Sequence, residues 1–407
     1  MTRYNKSVPR LFLIIFWTFA VAGYFFQFPF RWMSNLIVPG VLGFLLFQLP
    51  HIKMDKSKNY CALLMLFIAY LGISAVYSVY CGVEISRILR FLVILVCLPF
   101  CCAAKVGKFD IFRKIFILCA VIKSLMLIYI GLDCIILGSH VEWRQWAFAN
   151  GHGDIYLLGP LEAHVQVHGN ALLVVAALLD YEVFKRIRWQ NIIILLGVFF
   201  AGNFAFFLAL ALFIAWKMLL YLQRQIRRGN KGVLIVLLVL LLAAMLLVAP
   251  YVLGKMQEKQ TSNAVRWEQV EILLDANLAF GEGLGNKIYA EAEHVSYSGD
   301  MYFEMQTLYI VNQIGLIGLL MIYYLTMSPF ARKKNTLALY LIYLLFSFWN
   351  PYCWDTTHMI TLILLTNLSG GFDCNEKSVG YRLFPNKGCA GKCDTNIAAS
   401  RRSLYLR

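Results

Sequence analysis

The chain of 407 residues is 60% hydrophobic and 14% charged, whereas soluble domains are about half apolar and about a quarter charged. This composition excludes an ordinary soluble enzyme. The net charge of +15 is no argument for nucleic-acid binding, because basic residues collect in the cytoplasmic loops of membrane proteins. Apolar runs long enough to cross a bilayer recur along the chain, so we expect a polytopic membrane protein.

The predicted spans alternate with clusters of lysine and arginine. In chain order the spans lie at about 11–29, 35–50, 60–80, 88–104, 114–138, 169–184, 192–222, 232–253, 303–327, 336–350 and 357–370. Basic clusters precede or follow many of these spans and are expected to stay in the cytoplasm. The spans between consecutive basic loops must therefore come in pairs.

The stretch 192–222 does not fit a single crossing. Its 31 residues would form a helix of about 46 Å, which is too long for one crossing and too short for two. The pair Gly202-Asn203 near its middle predicts two short helices that meet in a V, an arrangement tolerated where it is buried in protein or lines a cavity. We predict an all-α helical bundle of about 12 transmembrane helices with both termini cytoplasmic.

Two polar segments interrupt the apolar pattern. With this topology, residues 139–168 and 254–302 form large external loops of a membrane bundle at 1–370, and residues 371–407 form a cytoplasmic tail. Loops carry function more often than packed spans do, so candidate functional residues are sought in these two segments and at the outer ends of the spans.

Arginine is scarce on the predicted outer side, which makes each instance informative. Arg87 and Arg90 lie at the outer end of the fourth span, Arg144 lies in the first external loop, and Arg266 lies in the second. The guanidinium group offers a fixed fork of donors that matches phosphate oxygens. The alternative, strongest for Arg90 and open for Arg87, is that the side chain reaches to the membrane interface without binding a ligand.

Glu304 stands at the start of an apolar helix near the outer boundary of the membrane. A carboxylate there is costly unless it is paired, hydrated or directed into a cavity. It is a candidate general base for a hydroxyl group. The alternative is an acid that is favoured only by the dipole in the first turn of the helix.

The first external loop holds candidates for hydrogen bonding to a sugar. His164 and His168 are four residues apart and would share a face if the segment were helical, and Asn170 follows them. A solvated loop and a metal site are the alternatives. Because no HExxH or similar signature is present, we predict no metal and no cofactor.

Three features together resemble the bacterial O-antigen polymerase and ligase superfamily. They are the many-helix bundle, the external loop with Arg266 before a glycine-rich stretch, and the following helix with a GxxG step at Gly315 and Gly318. The ligase pattern is His, then Asn, Ser or Gln, then nine residues, then GxxG. Counting back from Gly315 places Glu304 at the histidine position, and this carboxylate resembles a repeat-unit polymerase more than a ligase.

The resemblance implies a metal-independent glycosyltransferase on the outer face of the bacterial inner membrane. The enzyme would transfer a growing glycan from undecaprenyl diphosphate to a new lipid-linked repeat unit, and it would be surrounded by membrane lipids. The resemblance leaves open whether a chain-length regulator binds the protein. The implied roles are a base at Glu304 and diphosphate binding at Arg266. The resemblance also implies that the substrate is bound by further residues. These are Arg87, Arg90 and Arg144 for the diphosphate, and His164, His168 and Asn170 for the sugar.

Two alternatives remain at this stage. An O-antigen ligase would attach finished glycan to lipid A core by similar chemistry. A transporter or flippase of lipid-linked sugars would favour short external loops and charged residues at mid-membrane, whereas the polar groups here gather in two long loops and at the outer boundary.

Overall fold

The computed structural model describes residues 8–48, 58–106, 109–159, 162–229, 232, 260–294, 296–299, 303–348 and 354–375. The described residues are 76% helical. Helices long and apolar enough to cross a membrane are Asn59–Tyr80, Phe109–Ile136, Phe204–Arg227 and Gln306–Phe330. They support a helical membrane protein, and the larger number of spans stays a prediction. Of the predicted span at 232–253, only Gly232 is described.

Two of the described helices lie in the polar segments, and the others follow the predicted apolar stretches in order. They are α1 (Val8–Phe26), α2 (Ile37–Gln48), α3 (Lys58–Tyr80), α4 (Ile85–Cys101), α5 (Phe109–Ile136), α6 (His140–Ala149), α7 (Ala171–Phe184), α8 (Trp189–Ala201), α9 (Phe204–Arg227), α10 (Gln260–Leu274), α11 (Gln306–Met327), α12 (Lys334–Phe348) and α13 (Thr356–Asn375). A short 3-10 helix at Arg31–Leu36 leads into α2.

The predicted break at Gly202-Asn203 is confirmed. Gly202 ends α8 in the left-handed conformation (φ 63°), which glycine adopts without steric cost, and the side chain of Asn203 caps α9 by accepting a hydrogen bond from Ala205 N at 3.0 Å. The prediction that both helices are short is wrong for α9, whose 24 residues extend about 36 Å.

Helix α7 lies in the interior of the bundle. Every residue from Ala171 to Asp180 is buried, as expected for a helix that is apolar on all sides. Its end carries two buried carboxylates, and both are paired. Asp180 lies 3.2 Å from Arg113 Nη1 and 3.6 Å from Arg188 Nη1, and Glu182 pairs with Lys185 and Lys217. Such pairing is required for charges removed from water.

The two polar segments contain regular structure, which the prediction treated as loops. Segment 139–168 forms α6 and an antiparallel hairpin of β1 (Gly153–Gly159) and β2 (Glu162–Val167). Segment 254–302 contains α10 and a hairpin of β3 (Tyr289–Glu291) and β4 (Ser296–Ser298). The fold is therefore helical with two small β-hairpins.

The first hairpin covers the break between α8 and α9. Gln166 Nε2 donates to Gly202 O at 3.3 Å and to the hydroxyl of Tyr156 at 2.9 Å, and the ring of His164 packs against Gly202. The broken helix is therefore buried in protein, which is the condition under which such breaks are tolerated. Because His164 lies in β2, the idea that it shares a helical face with His168 is wrong.

The chain forms two compact units, 1–370 and 371–407. The first unit contains the elements from α1 to α12 and the part of α13 up to residue 370. The second is described only as far as Asn375, so the predicted cytoplasmic tail falls almost entirely outside the described residues.

Candidate active site

The structure brings Arg266 and Glu304 together. Nε of Arg266 donates to Oε2 of Glu304 at 2.8 Å, and Nη1 of Arg266 lies 3.4 Å from Oδ1 of Asn263 on the same helix. The Arg266 side chain is 23% exposed and that of Glu304 is 40% exposed. The pair is therefore reachable from solvent, and a salt bridge with this exposure contributes only about 0–1 kcal/mol to stability.

Glu304 is held at its backbone, two residues before the start of α11. Phe303 and Met305 on either side are buried and pack with Leu273 of α10 in a small apolar core. The backbone N–H groups of Glu304 and Met305 donate to Oε1 of the buried Gln269, at 3.0 and 3.3 Å. The flanking anchors fix the backbone at this point, while the Glu304 side chain remains partly exposed.

Arg87 lies on α4, beside the second polar segment. Both its Nη1 and its Nη2 are 3.3 Å from the carbonyl oxygen of Gly299. Gly285 packs against the backbone of Arg87 with φ 78°, where a Cβ would come within 3.1 Å of Arg87 Cβ. A salt bridge from Lys287 to Glu84 at 3.3 Å adds a further contact between this segment and the start of α4.

A series of aromatic rings connects α4 to the residue before Glu304. Phe91, one helical turn after Arg87, has its ring centroid 5.8 Å from that of Tyr309 on α11, and Tyr309 stacks on Phe303 at 5.2 Å. The helix that carries Arg87 therefore packs against α11, which begins two residues after Glu304. Arg90 is exposed on α4.

Helix α11 is interrupted by the glycine-rich segment, defined here as residues 277–285. Gly315 has φ 66° and ψ 175°, which breaks the helix. The segment occupies the break: Leu278 O accepts from Leu316 N at 2.8 Å, and Glu282 N donates to Asn312 O at 2.7 Å. A break inside a membrane helix requires such partners, because hydrocarbon offers none.

The fit between the glycine-rich segment and α11 depends on glycine. A Cβ at Gly315 would collide with the carbonyl oxygen of Ala279, and a Cβ at Gly281 would lie 2.6 Å from the carbonyl carbon of Gln313. The hydroxyl of Tyr70 on α3 donates to Ile314 O at 2.7 Å and to Phe280 O at 3.0 Å, and so bridges the two. Glycine at position 315 therefore allows the backbone of the glycine-rich segment to approach the backbone of α11, and its role is not a contact between two helices.

The remaining predicted residues form contacts within the first polar segment. Arg144 pairs with Asp154 through Nε at 2.9 Å and Nη2 at 3.2 Å, and its side chain is 50% exposed. His164 Nε2 lies 2.9 Å from Glu162 Oε1, and His168 Nε2 lies 3.2 Å from Gly151 O. The buried Asn170 donates to Val165 O at 2.8 Å.

A buried lysine supports the end of this hairpin. Nζ of Lys123, in the middle of α5, donates to His168 O at 2.9 Å and lies 4.6 Å from the ring centroid of Phe28. Phe28 also packs edge-on against His152, whose pKa is lowered by burial. His152 is therefore uncharged at neutral pH, and its ring acts as a packing group.

One group of described residues has the spacing of a metal site. Ligand atoms of Glu268, Glu293 and His294 lie within 4.8 Å of one another. His294 Nδ1 is 2.6 Å from Glu268 Oε1, and this hydrogen bond raises the pKa of His294. Exposed groups of this composition are common without an ion, and a hydrogen bond between two members already accounts for their approach.

The chain matches no protein-family model, no curated protein and no solved structure. Gln269, which anchors the backbone of Glu304, was not among the predicted residues. Its position three residues after Arg266 places both on one face of α10, and this spacing was the available signal.

Proposed function

We propose that this chain is a glycosyltransferase of the O-antigen polymerase type, which joins undecaprenyl-diphosphate-linked oligosaccharide repeat units into a surface polysaccharide. The observation that carries the proposal is the 2.8 Å contact between Arg266 and Glu304 just before α11. This reaction needs a base for a sugar hydroxyl and a fixed cation for a diphosphate leaving group, and the pair supplies one of each.

In the proposed step, the hydroxyl oxygen of the incoming repeat unit attacks the anomeric carbon of the growing glycan. The hydroxyl proton passes to Glu304 Oε1, the oxygen that does not accept from Arg266. The bond between the anomeric carbon and the diphosphate oxygen breaks, and its electron pair leaves with the diphosphate. Arg266 stabilises the charge that develops there, so this proposal requires no metal.

The proposed reaction takes place on the outer face of the bacterial inner membrane. The diphosphate would be bound by Arg266 with help from Arg87, and the lipid tail would lie among the membrane helices. Arg87 and the ring series through Phe91 support this arrangement because they join α4 to the region of Glu304. Binding of sugar by His164, His168 and Asn170, and help from Arg90 and Arg144, stay predictions.

The test is a Glu304→Gln variant, expressed in cells from which the chromosomal copy has been deleted. Glutamine keeps an oxygen that accepts from Arg266 Nε, so the contact between α10 and the start of α11 survives while the base is lost. We expect surface glycan with at most one repeat unit on a gel, while immunoblots of the membrane fraction show normal insertion of the protein.

Glu268→Gln is the matched control, because it changes a carboxylate of equal size two residues from Arg266 and should keep the full ladder of chain lengths. A full ladder from Glu304→Gln would remove Glu304 from the role of base. The deletion strain separates the alternatives: loss of a polymerase leaves one attached repeat unit, whereas loss of a ligase leaves none. Loss of a flippase would instead retain the lipid-linked units inside the cell.

A further inference from the structure

A cavity of about 820 Å³ lies between α7, α8 and α9, away from Arg266 and Glu304 in the chain. Its size falls in the range of about 300–1,000 Å³ that is usual for sites that enclose a ligand. Leu195 of α8 and Leu210 and Ile214 of α9 line one part of it. This part of the wall is apolar, and α9 is one of the helices long enough to cross a membrane.

The other end of the cavity is lined by cations. Lys185 follows α7, while Lys217 and Arg224 lie on α9. Glu182 pairs with both lysines, so one carboxylate is shared by two of the three cations. No acidic residue occurs among the described residues that line the cavity, and its rim therefore carries an excess of positive charge.

A buried amide at this rim has an unused hydrogen-bonding atom. Asn191, near the start of α8, lines the cavity with 2% of its surface exposed, and its Oδ1 has no hydrogen-bond partner. Buried polar atoms of this kind normally have a partner, and a missing one points to a group that the structure lacks. Because the two ends of an amide are interchangeable by rotation, Asn191 can accept from a hydroxyl or donate to a phosphate oxygen.

The cations Lys217 and Arg224 lie in the second half of α9, whereas the lining residues before Lys217 on this helix are apolar. From Arg224 back to Leu210 there are 14 residues of α9, or about 21 Å. A ligand that fills this space must be anionic at one end and hydrocarbon over most of its length. Ile214, which lines the cavity, is itself 57% exposed, and Leu219 next to the lining residue Met218 is 64% exposed, so such a ligand can enter sideways from the bilayer.

We propose that this cavity binds an anionic phospholipid of the surrounding bilayer. Its acyl chain lies against Leu195 and Leu210, and its phosphate group lies among Lys217, Arg224 and Asn191. Basic pockets between membrane helices are suited to anionic headgroups in this way. The site is separate from the proposed reaction of undecaprenyl diphosphate and does not depend on it.

Native mass spectrometry of the full chain, freed of lipid in an uncharged detergent, tests the proposal. The protein is mixed with equal amounts of phosphatidylglycerol and phosphatidylcholine that carry identical acyl chains. We expect the bound phosphatidylglycerol to exceed phosphatidylcholine by about fivefold or more, since a basic side chain near a headgroup contributes about that factor. Equal retention of the two lipids would overturn the proposal.

Two pairs of variants locate the site. Arg224→Gln should remove most of the preference, while Arg227→Gln, at the same end of α9 but outside the cavity lining, should keep it. Leu210→Trp should reduce binding of both lipids by filling the apolar end, while Leu219→Trp on the exposed face should not. Because Arg224 is itself exposed, its variant does not depend on repacking and decides the outcome if Leu210→Trp fails to fold.

The same two pairs of variants also show whether something other than a phospholipid occupies the cavity. If another part of this chain fills the cavity, Arg224→Gln and Arg227→Gln will behave alike, and the proposal is wrong. A third mixture adds undecaprenyl phosphate in an amount equal to phosphatidylglycerol. Continued retention of phosphatidylglycerol is expected, whereas its displacement would assign the cavity to the lipid carrier instead.

Discussion

Arg266 approaches Glu304 through Nε, at 2.8 Å from Oε2. Its Nη1 is directed to Asn263, and its Nη2 donates to no side chain in the described part of the protein. This arrangement leaves one edge of the guanidinium group available beside a carboxylate oxygen that is also unbonded. A phosphate and a hydroxyl can therefore be held next to each other without breaking the pair.

Replacement of Arg266 by lysine tests the need for this geometry. Lysine keeps the positive charge, but its donors are on one rotating nitrogen and cannot reproduce the fixed planar arrangement in which Nε contacts Glu304 and Nη2 faces a phosphate. We expect the amount of glycan longer than one repeat unit to fall about ten- to a hundredfold, as for loss of one charged hydrogen bond. Arg228→Lys at the end of α9 is the control, and equal polymer from both variants would show that charge alone is sufficient.

The break in α11 predicts a strong effect at Gly315. Alanine there would combine a backbone conformation that costs about 1–3 kcal/mol with a collision against Ala279 O. We expect a clear fall in the thermal unfolding temperature of Gly315→Ala in detergent. Gly72→Ala in α3 has open space around the new methyl group and should be neutral or slightly stabilising. Equal stability of the two variants would mean that α11 runs straight.

The β3–β4 hairpin should loosen as the pH rises. Because Glu268 raises the pKa of His294, the protonated histidine stabilises the contact between this hairpin and α10. The stabilisation is complete below the ordinary pKa of 6.5 and is lost as the pH rises through the raised value. Hydrogen exchange at the His294 amide, corrected for the intrinsic rate, should be faster at about pH 9 than at about pH 5.5.

Glu268→Gln provides the check on this pH dependence. The variant removes the charge that raises the pKa of His294, so the difference in exchange between the two pH values should disappear. An unchanged difference would show that another group controls the hairpin.

The side chain of Asp355 caps the start of α13, and its burial favours the protonated, neutral form of the carboxyl group. Its carboxyl group accepts from the backbone N–H groups of Thr357 and His358, while burial raises its pKa from 3.8 to about 6. The folded state therefore holds the proton more tightly than the unfolded state, and stability should fall as the pH rises from about 4 to about 6.

Asp355→Asn should remove this fall, because asparagine keeps the capping oxygen without a charge. Unfolding temperatures measured across this pH range would show a flat profile for the variant and a declining one for the natural protein. Asp355→Ala loses the cap and should be less stable than Asp355→Asn by about 1 kcal/mol at every pH. A declining profile in Asp355→Asn would assign the titration to a different group.

Local features of the chain predicted local structure well. The helices follow the apolar stretches, and the break at Gly202 was predictable because glycine and the capping Asn203 stand side by side. The alternating buried residues Ala163, Val165 and Val167 carried a strand signal in a segment that polarity alone had assigned to a loop.

Features made by distant residues were not predictable in this way. The break at Gly315 is stabilised by carbonyl groups of Leu278 and Ala279, and nothing in the sequence of α11 indicates their approach. The identity of Glu304 and Arg266 as candidates came from residue type and position. Their contact depends on Gln269 and the apolar core around Leu273, which are assembled only in the folded chain.

The hydrogen bonds between the glycine-rich segment and α11 impose an order on biogenesis. Residues 277–285 leave the ribosome before α11, yet their partners at Asn312 and Leu316 do not exist until α11 has been synthesised. Until the two meet, the interrupted helix would expose bare peptide groups to lipid. Insertion of α11 and docking of the segment are thus expected to be a single concerted event, and a translocon or chaperone would have to shelter the helix until then.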